Sequence, residues 1–262
     1  MKSSSDVVMR TGRLRVSSGT LFWHEAGRGD TLIFLHGSWH DSGQWLPVMQ
    51  ALAPEYHCLA PDLIGFGEST STAKAHSVDL EVEALHSLLQ ALRTPHCVMV
   101  GHSLGAWVAL RYAQRYPDQV RGVAVVAPEG LIDPQGSRWR LDRWLASSLS
   151  PLGPLITLAS WLGWRGKLKT LRRRRHTLRR TPVACQILFR RRPADIAAER
   201  IDPTHLSLPV VQFVTTDPSP LPTPWGQVQR LPAAETPLGV GEADTIAALG
   251  QFLVTTLLTP TV

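Results

Sequence analysis

The sequence predicts an α/β fold, a mostly parallel central sheet with helices on both faces. Three observations carry that prediction. Apolar β-type runs alternate with amphipathic helical stretches across residues 30 to 128, the order that builds a parallel sheet. Several of the runs are apolar throughout instead of alternating with polar residues, as strands covered on both faces are. At 262 residues, 44% hydrophobic and 18% charged, the chain is long enough to bury one substantial core and does not require two.

Two β-type runs, RLRVS and LFWHEAG, open the chain before TLIFLHGS, where a continuous apolar tetrad stops at a glycine and reads as a buried strand. A helix is expected around GQWLPVMQAL, then a strand at HCLAPDL. In VDLEVEALHSLLQAL, Leu80, Val82, Leu85, Leu88, Leu89 and Leu92 fall on one helical face, and in LGAWVALRYAQRY so do Leu104, Val108, Tyr112 and Ala113. The strand HCVMV lies between these helices, and the buried strand RGVAVVAP follows them. After Pro128 the alternation stops for about 75 residues. It resumes with LPVVQFVTT, GQVQRLP and a final helix over EADTIAALGQFLVTTLL. Residues 131 to 205 are therefore expected to form an insertion, with residues 1 to 130 and 206 to 262 as the core.

Cys58, Cys97 and Cys185 are odd in number and widely spaced, with no CxxC pair and no histidine cluster. Neither a disulfide framework nor a metal site is indicated, and the thiols are expected to be reduced and packed. The opening residues MKSSSDVVMRTGRLRV lack the apolar stretch of a secretory signal, so a cytoplasmic location is expected. The net charge of +6 hides a polarity along the chain. Between Arg138 and Arg192 stand 15 Lys or Arg against the single acid Asp142, whereas the remainder holds 12 basic and 20 acidic residues.

The stretch that carries chemistry is GHSLG, with Ser103 between Gly101 and Gly105. It falls between the strand HCVMV and the helix that starts at Leu104. A serine on so sharp a strand-to-helix turn needs small neighbours, because the strained backbone brings adjacent elements close, and the hydroxyl then stands above the sheet edge. GxSxG alone is a weak signal. Here FLHGS ends an earlier strand, PDLIGFGES follows the next, and the order of strands and helices agrees. On these residues the chain resembles the α/β-hydrolase fold superfamily over nearly its whole length.

The resemblance implies a helical lid in the insertion and assigns roles by position. Ser103 matches the nucleophile, and the backbone N–H groups of Ser38 and Leu104 match the oxyanion-hole donors. His36 and the loop with Asp62 are expected to shape the surroundings structurally. Asp217, just past VVQFVTT, occupies the usual acid position, and Glu129, at the end of VAVVAPE, is the alternative acid; either also reads as an ordinary loop carboxylate. The family's histidine belongs in a loop before the final helix. The matching phrase here is LPAAET, which puts Thr236 in its place, and no histidine follows His205. The helix expected after Asp217 is replaced by PSPLPTPW, whose four prolines cannot form it.

Without a base a serine hydroxyl is a poor nucleophile. His40, two residues past Ser38, is the substitute base by location, against the plainer reading of a solvated or structural histidine. The same two readings apply to His176 and His205. His102 is expected to point into the sheet as a packed residue.

By the same resemblance the lid encloses the substrate pocket. Residues 144 to 164, WLASSLSPLGPLITLASWLGW, carry no charge, hold Trp144, Trp161 and Trp164, and precede RGKLKTLRRRRHTLRR. Pro151, Gly153 and Pro154 argue against a membrane span. A hydrophobic lid, contact with an anionic membrane through residues 144 to 180, and a solvated basic face remain. Nucleic acid is disfavoured, because the acidic remainder of the chain repels a polyanion. Two functions follow. One is a serine hydrolase acting on a lipophilic ester or related acyl substrate, a chemistry that calls for no cofactor. The other is a catalytically impaired relative that binds a small apolar ligand or a membrane surface through its lid.

Overall fold

The structure, a computed structural model, describes residues 7–128, 175, 181–201, 205–215, 227–231 and 249. Its strands are β1 (Arg10–Val16), β2 (Gly19–Ala26), β3 (Thr31–Leu35), β4 (His57–Pro61), β5 (Thr70–Ser71), β6 (Cys97–His102), β7 (Val120–Val126), β8 (Val210–Thr215) and β9 (Gln227–Leu231). They form one sheet in the order β1-β2-β4-β3-β6-β7-β8-β9, with β5 paired to β2 off this path. From β4 through β9 neighbouring strands run parallel, while β1, β2 and β5 pair antiparallel. The α/β architecture and its mostly parallel sheet are those the sequence predicts.

The helices are α1 (Leu46–Leu52), α2 (Val78–Ala91), α3 (Leu104–Arg115), α4 (Pro182–Cys185), which continues as a π-helical stretch over Gln186–Arg190, and α5 (Pro193–Ala198). Because strand side chains alternate between faces, the sheet separates two cores. Ile33, Leu35, Met99, Val123 and Val125 pack on one side with α2 and α3. Leu32, Phe34, Val98, Val100, Ala124 and Val126 pack on the other with α1 and Leu249. Parallel neighbours need a crossover connection, and helices supply it.

α2 starts at Ser77, whose hydroxyl accepts the Leu80 N–H (3.1 Å), with Asp79 and Glu81 in the first turn. Of the expected face Val82, Leu85, Leu88 and Leu89 are buried and Leu80 and Leu92 partly so, while Val78, Glu81 and Ala84 are buried beside them. α3 is wrapped more completely than its amphipathic spacing suggests: Ala106, Trp107, Ala109 and Leu110 are buried as well as the expected face. The short β5 escaped the sequence, because two residues carry no periodicity.

Within the segment expected as an insertion, the described residues 181–201 share the α2 and α3 core through Cys185, Ile187, Leu188, Phe189, Ile196 and Ile201. Glu199 fastens this segment. Its carboxylate takes Arg191 at 2.5 and 2.6 Å and the Val78 N–H at 3.3 Å, and its carbonyl accepts the Trp107 indole N–H at 2.9 Å. Cys58, Cys97 and Cys185 are buried, and burial pushes the Cys58 and Cys97 thiols up to about 12. No described helix is long and apolar enough to cross a membrane.

Candidate active site

Ser103 stands between the last residue of β6 and the first of α3, with φ 54° and ψ −113°. An L-residue at such a φ costs roughly 1–2 kcal/mol, which the surrounding contacts hold in place. The Ser103 N–H donates to the Val126 carbonyl of neighbouring β7 (3.0 Å), and its own carbonyl accepts from the Trp107 N–H (3.3 Å). The flanking glycines are sterically required. A Cβ at residue 101 would stand 2.5 Å from the Ala106 Cα, and one at residue 105 would overlap the Leu35 carbonyl.

The loop after β3 meets this turn. A Cβ at Gly37 would lie 2.6 Å from His102 Nδ1 and 3.2 Å from the Ser103 Cβ, so only glycine lets the backbone just before Ser38 come this near the serine. Ser38 and Leu104 are fully buried. His36 fixes the loop from below: its Nδ1–H donates to the Gly37 carbonyl (3.0 Å) and its Nε2 accepts the Leu63 N–H (2.9 Å). That pattern permits only the neutral ring, in agreement with burial lowering its pKa. The Gly37 carbonyl also accepts the His40 N–H (3.1 Å), and the Gly37 N–H donates to Gln44 Oε1 (3.2 Å).

His102 is buried, but it packs toward the loop after β3 rather than into the sheet. Its Nδ1 faces Gln44 Nε2 at 3.5 Å, and its ring centre lies 5.7 Å from that of His40. Space beside side-chain-free Gly37 draws the imidazole there. Burial, reinforced by the neighbouring histidines, pushes its pKa down to about 4. His40 is half-buried, with a pKa lowered by burial, and its Nδ1 is enclosed with no hydrogen-bond partner among the described residues. No hydrogen bond joins the Ser103 hydroxyl to a histidine among the described residues. His205 is exposed and leads into the amino end of β8, opposite the edge where Ser103 sits.

Asp217, Glu129, Thr236, His176 and residues 144–164 lie outside the described residues. The strands that lead to the two candidate acids do not: β7 and β8 pair in parallel, so their carboxyl ends face the same edge as Ser103. Asp62 is structural, as expected, with its two oxygens taken by the Ser42 and Glu68 N–H groups at 2.6 and 2.7 Å.

Two polar residues were missed from sequence. Glu81 is fully buried; its Oε2 accepts the Ile64 N–H (2.8 Å), its Oε1 has no partner among the described residues, and burial pushes its pKa up to about 8. Its helical spacing from Val78 and Leu85 was the available signal. Gln44 carried none, since a glutamine in a polar loop resembles any other.

Residues 32–256 match the alpha/beta hydrolase family. Protein PHYLLO of Arabidopsis thaliana is 29% identical over 202 residues, which cover 67% of this chain and 12% of that protein. The 2-hydroxymuconate semialdehyde hydrolase of Pseudomonas sp. is 34% identical over 118 residues, 42% of this chain and 41% of that protein. The chain thus spans less than half the length of either curated relative. A thermophilic esterase from Thermogutta terrifontis superimposes with a TM-score of 0.67 at 19% identity, covering 94% of this chain and 99% of that one. With the strained serine turn and sheet order already in view, the family match over most of its length places this chain in the alpha/beta hydrolase family.

Proposed function

We propose that the protein is a serine hydrolase acting on a carboxylic ester or related acyl substrate of lipophilic character. The observation that carries this reading is the junction of Gly37 with Ser103, where glycine alone allows the backbone before Ser38 to lie against the serine. In this mechanism Ser103 Oγ attacks the acyl carbon and the negative charge on the carbonyl oxygen falls to the N–H groups of Ser38 and Leu104. His40 takes the serine proton and returns it to the departing alcohol; water then attacks the acyl-enzyme with the same base assisting. A neutral imidazole with an unused buried nitrogen suits that role. Asp217, with Glu129 as the alternative, orients the base. Residues 131 to 205 act as the lid, and the protein works in the cytoplasm. The hydrolase and esterase named among the similar proteins support the class of reaction.

The test is labelling by a fluorophosphonate serine probe. Label is expected on the parent and on Ser38→Ala, which keeps the backbone donor. It should be absent from Ser103→Ala and slowed at least tenfold in His40→Ala. Unlabelled, folded parent protein, with detergent or lipid present, overturns the reading.

A second reading is favoured by the absence of a histidine hydrogen-bonded to Ser103 among the described residues. Here the chain keeps the turn without the chemistry and binds an apolar ligand, or an anionic membrane through residues 144 to 180. Its signature is co-sedimentation with anionic but not neutral vesicles, in protein that takes no label.

A further inference from the structure

We propose that Gln44 is a positioning residue, a carboxamide clamp that ties the oxyanion loop to the nucleophile turn; the catalytic consequence rests on the hydrolase reading above. The Gln44 side chain bridges the residue before each partner of the reaction. Its Oε1 accepts the N–H of Gly37, which precedes Ser38 (3.2 Å), and its Nε2 faces Nδ1 of His102, which precedes Ser103 (3.5 Å, the longer contact).

The proton assignments follow in sequence. The Gly37 N–H is a donor, so the amide oxygen must face it, since the flipped amide would oppose two donors. Nε2 is then turned to His102, whose Nδ1 must accept and carry no proton. The His102 proton therefore resides on Nε2, and the ring is neutral. Gln44 thus sets one tautomer on the turn and one amide orientation on the loop.

The clamp is itself held. Residues Ser42–Trp45 form a 3-10 turn in which Asp41 Oδ1 accepts the Gly43 N–H (2.9 Å) and the Asp41 carbonyl accepts the Gln44 N–H (3.2 Å). Trp45 is fully buried, its ring 5.3 Å from that of Phe34 in β3. The Ser42 N–H is fixed by Asp62. A side chain supported in this way transmits position, and an oxyanion donor displaced by a fraction of an ångström loses much of its effect.

Gln44→Met and Gln44→Glu, in the full-length protein, test the clamp by two independent readouts. In imidazole 15N NMR the parent should show an unprotonated His102 Nδ1. Gln44→Glu replaces the donor by an acceptor, so that nitrogen should gain a proton and His102 should titrate at higher pH. In Gln44→Met the Gly37 amide should lose exchange protection, and fluorophosphonate labelling should slow by about tenfold. Ser77→Ala, which removes the α2 cap and bonds neither Gly37 nor His102, is the control for mere loss of stability and should label at the parent rate. The clamp is overturned if His102 and the Gly37 amide behave identically in parent and Gln44 variants, or if Gln44→Met labels as fast as a parent that labels well. If the parent takes no label while the NMR changes appear, the hydrolase reading fails and the clamp stands.

Discussion

Gly105 shows how a single missing side chain fixes the geometry of the serine turn. It lies at the crossing of α3 with the end of β3, where a methyl group would overlap the Leu35 carbonyl. Gly105→Ala is expected to destabilise the protein by about 1–3 kcal/mol, read as a lower midpoint in urea, even though alanine is the better helix former. Glu81 makes a different kind of prediction. Burial raises its folded-state pKa to about 8, so the folded chain holds a proton that the unfolded chain has already released. Stability is then fully present below the ordinary carboxylate range and declines as pH rises from there through about 8. Glu81→Gln keeps an acceptor for the Ile64 N–H and removes the titration. It should match the parent in acid and exceed it near pH 8 by on the order of 4 kcal/mol, measured by denaturant melts across that range. The candidate nucleophile was legible because its chemistry is local: strand, glycine, serine, glycine and helix adjoin in the chain. Gln44 and the buried state of Glu81 were not, because their meaning lies in partners brought together by tertiary packing.

At the scale of elements, α2 ends without the glycine that usually marks such an end. Arg93 occupies the left-handed position at φ 53°, with its N–H bonded to the Gln90 carbonyl (3.1 Å) and the Thr94 N–H bonded to that of Leu89 (2.9 Å). This is the paired closure that caps a helix when the following residue turns left-handed. Arg93→Gly is therefore expected to stabilise the protein by about 0.5–1 kcal/mol, seen as a Tm rise with activity unchanged. The α2 boundaries were readable from apolar spacing, and the strands of the parallel sheet from their continuous apolar runs. Less readable were β5, too short for a period, and the π-helical stretch over Gln186–Arg190, whose register answers to the core it enters and not to its own sequence.

At the scale of the whole molecule, Glu199 joins three parts of the chain: the segment that carries Arg191, the amino end of α2 and the α3 helix that begins beside Ser103. Its side chain is 7% exposed and that of Arg191 20%. Arg191→Ala would leave a nearly buried carboxylate without its cation, at a cost of about 2–3 kcal/mol. A fall of that size in the denaturation midpoint is expected, with Arg191→Lys recovering part of it, since an ammonium keeps the charge but not the two-pronged contact. The arrangement of strands in space also differs from their order along the chain. β3, which ends just before the loop of Gly37 and Ser38, pairs directly with β6, which ends just before Ser103, although two strands and two helices separate them in sequence. No contiguous piece of polypeptide therefore contains the site in miniature. Pairings between such distant segments are slow to form, and the turn at Ser103 comes to rest against Gly37 only when the middle of the sheet closes.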